Sequence, residues 1–554
     1  MRRGLAWLGI VCGVACASAP QQHAAPPPRP PVGPQLVSGL APHHHPIATD
    51  SAEAQAFFDQ GFAWVFAFNH EEAERSFEHA AELDPTSPMP HWGIAWAIGP
   101  NYNLDIDDER SVKASQAMAR AKQLAADAPQ NERDYVAAMA VRFSPDPKAD
   151  RKKLARSYAA KMRDLARRYP DDLDAATLYA ESLMNLDPWK LWTLGGKPAK
   201  DTDEILRTLE SVLRRDPNHV GANHYYIHAV EASPHPERAL ASAERLKTLA
   251  PAAGHLVHMP AHVFARTGDH AGAAHANEAG AAADRAYVAG DPAKAETFYA
   301  LAYGSHNLHF LVDDEMMRGR FASAQRAAAE VAERLGPHAA MMPMMESMIV
   351  VPVSVLLRFD HYDDLLALPE PPAERPVMRA WQHFARGVAY AKQGDADEAA
   401  RERGELAAGI RTVPDSALFG GSGLASAKQV LAIASTVLDA RIAWAHGDRV
   451  KSLGLWKQAV AAADKLPYDE PPVWFYPVRE SYGAALLQSD RARDAERVFR
   501  DDLAQHPRNA RSLFGLRESL EQQGRDADAA WVEREFEAAW RDADPDVVLT
   551  VDSL

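Results

Sequence analysis

Histidine recurs in this chain at a fixed long interval. His224 and His228 are followed 34 residues later by His258 and His262. Within each pair the spacing is four, and His255–His258 and His306–His309 are spaced by three. Side chains three or four apart share one face of a helix. A repeat of that length reads as a helix–turn–helix unit that buries its apolar face only by stacking on its neighbours. Stacking also explains how 554 residues, too many for one compact core, can fold.

The same unit is written elsewhere without histidine. Phe57, Gly61, Trp64, Ala73, Phe77, Ala80 and Pro85 form one copy. Gly387, Tyr390, Gly394 and Ala399 mark a second; Gly483, Leu486, Ala495, Phe499 and Pro507 mark a third, and Ala529 a fourth. Small residues let two helices approach, aromatics fill the gap, and proline opens the next unit. On these residues the chain from about 50 to 540 resembles the tetratricopeptide repeat family, and stretches such as YAESLMNLDPWKLW resemble a secreted bacterial subgroup of it. The resemblance implies an all-α, TPR-like α-solenoid, a right-handed superhelix of helix–turn–helix repeats. Repeats are expected over 47–219, a His-rich set over 220–350, and further repeats over 351–554. Inserts interrupt the period at 188–200 and 410–425, and Pro369–Pro376 reads as a loop between repeats.

Residues 1–19 read as a secretory signal, with Arg2 and Arg3 before the apolar run Leu5–Val14. Gly13-Val14-Ala15-Cys16 resembles a lipobox, which would make Cys16 a lipidated first residue; cleavage after Ala15-Cys16-Ala17 is the rival. Export to the periplasm or outer membrane is expected, with membrane contact only through such an anchor. Residues 20–46 are Pro-rich and read as an extended, disordered spacer ending in His43-His44-His45, a short tract that can catch metal only loosely on a tether. The only cysteines are Cys12 and Cys16, so a metal in the folded body must use other ligands. A formal charge of −16 without basic runs argues against nucleic acid as a partner.

The register of the His-rich repeats follows from Ala239, Ala273 and Ala324 and from the turn glycines Gly268 and Gly319. First positions fall at Val220, Gly254 and Ser305. Position 2 is then Gly221, His255 and His306; position 5 is His224, His258 and His309; position 9 is His228, His262 and Asp313. The resemblance places positions 2, 5 and 9 on the concave groove. Neighbouring helices lie ~8–10 Å apart, so imidazoles from two of them can share one ion at ~2 Å. His224, His228, His255, His258, His262, His306, His309 and Asp313 are therefore the candidate metal ligands, for one ion or two. The thiol-free, His-rich set suits copper, zinc or iron. Met341, Met342, Met344, Met345 and Met348 would favour Cu(I) as ligands, and pack as pliable core otherwise.

Glu231, three residues after His228, is the candidate general base. Trp92, Trp96 and Asn101–Asn103 are candidate substrate contacts at the far end of the groove, and Glu181 could reach into it. Tyr225, Tyr226, Tyr299 and Tyr303 flank the grid. Asp105, Asp107, Asp108 and Glu109 read as a solvated acidic loop. Three functions follow: a metal-dependent hydrolase or oxidase acting on a small molecule or peptide in the groove, a metal-binding or delivery lipoprotein, or a scaffold that binds peptides or a protein partner.

Overall fold

Phe77 shows why the small positions of the repeat must be small. Its ring lies between Gly61 and Gly93, where an added Cβ would stand 2.6 and 2.5 Å from it. Phe499 repeats the arrangement between Gly483 and Gly515, at 2.4 and 2.2 Å. Gly483→Ala should therefore lower stability by ~1–3 kcal/mol through overpacking, read as a lower denaturant midpoint for the C-terminal repeats.

The computed structural model describes residues 33–146, 148–339 and 345–554, and Leu36–Leu554 make one body. Helices paired as the period requires run through it, from Ala52–Phe66 with His70–Leu83 to Ala510–Glu521 with Asp526–Trp540. The fold is an all-α, TPR-like solenoid. Among the described residues, strand is confined to the two-residue ladder Leu418–Phe419 with Ala425–Ser426, inside the second insert. The first insert is likewise free of helix between Met184 and Thr202. No described helix is long and apolar enough to cross a membrane. The signal segment, the first part of the spacer and Met341–Met344 lie outside the described residues. Met345 and Met348 are buried in a core with Leu308, Val331 and Leu335.

The stack curls back on itself twice. The helix Ala52–Phe66 packs on Val220–Val230, where Gly221 leaves room for Phe66; a Cβ there would stand 2.4 Å from the ring. Farther on, the last repeats touch the turns of the His-rich ones. Gly268 (φ 82°) lies under the Pro507 carbonyl and Gly319 (φ 73°) under Trp540. Arg266 donates to Gln505 O, and Asp544 N to Gly319 O.

Curling fills the space expected to be an open groove. Trp92 and Trp96 are core residues beside Phe62 rather than substrate contacts, because the inner face here is closed by aromatic packing. Glu181 is buried against Arg142 and Asn185, a helix away from the histidines. The described part of the spacer is not a free tether either. Residues 36–47 lie on the body, with Val37 N donating to Gln60, Ile47 N to Gln55 and Ala252 N to Gly39 O. His45 is buried. Asp105, Asp107, Asp108 and Glu109 are exposed as expected, although Asp107 caps the helix Asp108–Leu124 and Asp108 and Glu109 lie in its first turn.

Candidate metal centre

Three helices carry the grid, and each is held by a local device. His219 caps Val220–Val230, its Nδ1 accepting from Ala222 N at 3.1 Å. Pro260 opens a new helical piece, Pro260–Arg266, directly after Gly254–His258, so His258 and His262 flank a break. Gly280 on the following helix lets its backbone approach His258, whose Cβ an added methyl would meet at 2.9 Å. A π-helical turn, Tyr299–Tyr303, precedes Gly304–Met317 and sets the rotation of His306.

Six of the seven histidines converge, in two groups of three. His224, His228 and His255 form one; His258, His262 and His306 form the other. Within each group the candidate ligand atoms lie within 4.8 Å of one another. The grouping runs diagonally across the register: positions 5 and 9 of one helix join position 2 of the next. The two groups adjoin, with ring centroids of His228 and His262 5.6 Å apart and of His255 and His258 5.6 Å apart. His309 and Asp313 stand outside both groups. They line a cavity with Ser347, Val350, Trp381 and Pro471. They occupy positions 5 and 9 of the third helix, and the cavity they line holds no other imidazole among the described residues.

The outer nitrogens are committed. His224 Nδ1 donates to Phe66 O at 2.6 Å. His258 Nδ1 lies 2.5 Å from Asn277 Oδ1, and Asn277 Nδ2 donates to Asp314 at 2.9 Å. An ionised Asp314 only accepts, which turns the Asn277 oxygen to His258 and puts the proton on His258 Nδ1; burial raises the Asp314 pKa well above 3.8, and a protonated Asp314 would let the amide turn the other way. His228 Nδ1 lies 3.0 Å from Glu231 Oε1, and His262 Nδ1 2.7 Å from Glu231 Oε2, the second contact off the line of a good hydrogen bond. One carboxylate thus spans both groups.

The inner Nε2 atoms face one another. His224 and His255 bring theirs to 3.1 Å, and His258 and His262 to 2.8 Å. With Asp314 ionised, the second pair cannot be satisfied by neutral rings. With its proton on Nδ1, His262 turns a bare Nε2 toward the bare Nε2 of His258. With its proton on Nε2, a bare Nδ1 sits against the Glu231 carboxylate. A cation held between the Nε2 atoms removes the conflict. Two ligands about 2.1 Å from a tetrahedral ion stand about 3.4 Å apart, so both pairs would open by a few tenths of an ångström to hold one. His228 Nε2 and His255 Nδ1 are buried without a hydrogen-bond partner among the described residues.

Burial keeps these imidazoles neutral and ready to ligate. It lowers the pKa of His224, His255, His258 and His306 well below 6.5, and neighbouring imidazoles lower it further. His262 is lowered by burial and partly restored by Glu231. For Glu231 itself burial pushes upward, but His228 and His262 outweigh it and keep the carboxylate ionised. Oε1 is hydrogen-bonded to His228 and Oε2 lies against His262 without an aligned hydrogen bond.

Aromatic rings wall the first group. Phe68, at φ 56°, stacks on His255 at 5.2 Å and lies 4.4 Å from His224. Tyr102 lies 5.3 Å from His228, and Tyr303 5.0 Å from His255. Phe68 had no signal in the sequence, since no repeat position marks it. Tyr102, expected at the far end of the groove, is brought here by the curl. Tyr225, Tyr226 and Tyr299 are core, bonded or packed away from the Nε2 atoms.

No family model matches this chain, and no curated protein matches it. Among solved structures it is similar to the human IFIT1 dimer with m7Gppp-AAAA, at 12% identity and a TM-score of 0.31, covering 90% of this chain and 92% of that one. It is also similar to yeast Tom70, at 12% and 0.29 over 90% and 93%, and to the APC/C hetero-tetramer Cut9-Hcn1, at 11% and 0.28 over 91% and 95%. Likeness at this level transfers no ligand.

Proposed function

We propose that this solenoid holds a pair of copper ions, each on three imidazoles, and works as a redox enzyme on a small molecule. What carries the reading is the Nε2 pair of His258 and His262 at 2.8 Å, with outer nitrogens committed to Asn277 and Glu231. Three protein ligands leave an open position on each ion, the arrangement of catalytic sites; structural sites close with four. Storage alone would not need the opening.

The donors of both groups are imidazoles, with no carboxylate or thiolate among them. Imidazole suits copper, and bound copper supplies one-electron chemistry. The chain's own groups bind, orient and exclude water: Glu231 and Asn277 fix the rings, and Phe68, Tyr102 and Tyr303 close the space. The cavity at His309 and Asp313, one turn beyond His306, is the approach for substrate. Burial lowers His309 to about 4, so it is neutral at pH 7, and raises Asp313 to about 7, so this entrance changes charge around neutral pH.

Elemental analysis of protein purified without chelator should give two copper per chain. Zinc alone after growth in both metals would turn the reading toward hydrolysis, and no metal after reconstitution would end it. Acid should strip the ions once protons compete for the buried imidazoles, whose pKa burial holds well below 6.5. Stability should fall over the same window. The buried rings have depressed pKa values, so the unfolded chain binds more protons; their contribution is present above ~6.5 and lost as pH falls toward the folded values. Thermal melts from pH 7.5 to 5 read both effects.

Export belongs to the same proposal. A labelled fatty acid should mark the chain, and Cys16→Ser should abolish the label. A protein that starts at Met1 and stays in the cytoplasm would remove this part.

A further inference from the structure

A second kind of site lies where the N-terminal segment meets the first repeats, and none of the six grid histidines takes part in it. Asp174, on the helix Leu173–Met184, is buried and ringed by imidazole. His45 Nδ1 lies 2.8 Å from Oδ2, His43 Nε2 3.3 Å from Oδ1, and His219 Nε2 3.1 Å from Oδ1. Asp172 adds a second carboxylate, and ligand atoms of His45, Asp172 and Asp174 lie within 4.8 Å of one another. Among the described residues no lysine or arginine pairs with either aspartate.

The groups differ in what they are free to do. His219 Nδ1 accepts from Ala222 N, so its proton sits on Nε2 and is donated to Asp174. It is an outer partner that orients the carboxylate, as such partners do at metal sites. Asp172 caps its helix with Oδ1, accepting from Ala175 N, and accepts from Tyr135 with Oδ2, so each oxygen keeps a lone pair. His43 is the exception. Its side chain is 9% exposed, and its Nε2 is buried without an aligned hydrogen bond although it is aimed at Asp174. Phe62 stacks against both rings, at 4.8 Å from His43 and 5.0 Å from His45, and holds them in place.

We propose that His43, His45, Asp172 and Asp174 bind a divalent first-row cation that staples the N-terminal segment to the body. An ion about 2.1 Å from an imidazole nitrogen and a carboxylate oxygen at right angles sets them about 3 Å apart, and the spacings to His45 and His43 bracket that value. Mixed imidazole and carboxylate donors suit zinc, iron(II) or manganese better than Cu(I). The site is thus of a different class from the grid. It also closes a long loop, because residues 43–45 lie far along the chain from Asp174.

Cobalt(II), titrated into the full-length protein after chelation, is the probe. The wild type should take up one equivalent that His43→Gln/His45→Gln does not, while uptake by the grid is the same in both. Limited proteolysis supplies the second readout. Segment 36–48 should be cut in chelator and protected when cobalt is restored, and in the double variant it should be cut in both. If the double variant fails to fold, the near-isosteric Asp174→Asn is read the same way. Equal cobalt uptake by wild type and variant, or equal protection of the wild type with and without metal, would overturn the site and leave imidazole–carboxylate pairing as all that holds the segment.

Discussion

His258→Ala should remove one of the two ions from the grid and leave the other bound. His258 supplies Nε2 to the group with His262 and His306, at 2.8 Å from its partner. The other group, His224, His228 and His255, does not include it. Copper should fall from two equivalents to one, with affinity at the damaged site lost beyond the ~10–100-fold that outer partners are worth. The variant also leaves Asn277 Oδ1 buried without its donor, a cost of ~1–3 kcal/mol, so metal content must be measured on protein shown to be folded. His309→Ala is the control. Read from register alone, His309 is the equal of His258; in three dimensions it lines a separate cavity. Its loss should leave copper unchanged. If His309→Ala costs as much metal as His258→Ala, the two-group assignment is wrong.

Glu231→Gln should weaken both groups at once. Each carboxylate oxygen faces one Nδ1, of His228 and of His262. An amide has one oxygen and one NH2, and the NH2 cannot accept a proton. One of the two histidines must then carry its proton on Nε2, where it can no longer ligate. The site that receives the NH2 should lose about 10–100-fold in metal affinity, and its neighbour less, because it keeps an acceptor of reduced charge. A general base would behave otherwise: the ions would stay while turnover fell. Metal titration and turnover measured on the same preparation separate the two roles.

Much of this was legible in the sequence because repeats write their geometry in one dimension. Gly61, Phe77 and Ala80 state the helix pairing, and His224, His258 and their partners state which face is shared. The diagonal grouping was not legible. Register aligns His224 with His258 and His309, but adjacent helices are offset, so His255 reaches back to His224 and His306 to His258. Nor could the period say that the stack curls until Phe66 accepts from His224 across 158 residues. That contact, and Phe68 and Tyr102 against the rings, depend on the small rotation between successive units, which no single residue encodes. The place of His43 and His45 was not legible for a related reason: composition marks the segment as a spacer, while the carboxylate that holds it, Asp174, sits 129 residues beyond His45.

The turns at Gly268 and Gly319 bear the weight of the last repeats, under Pro507 and Trp540. An open stack tolerates the gain or loss of a unit, since each touches only its neighbours. A stack whose end rests on its own middle does not. Adding one unit would carry Pro507 past Gly268, and removing one would leave it short. The number of repeats in this chain is therefore fixed by closure, as the number of staves is fixed in a barrel.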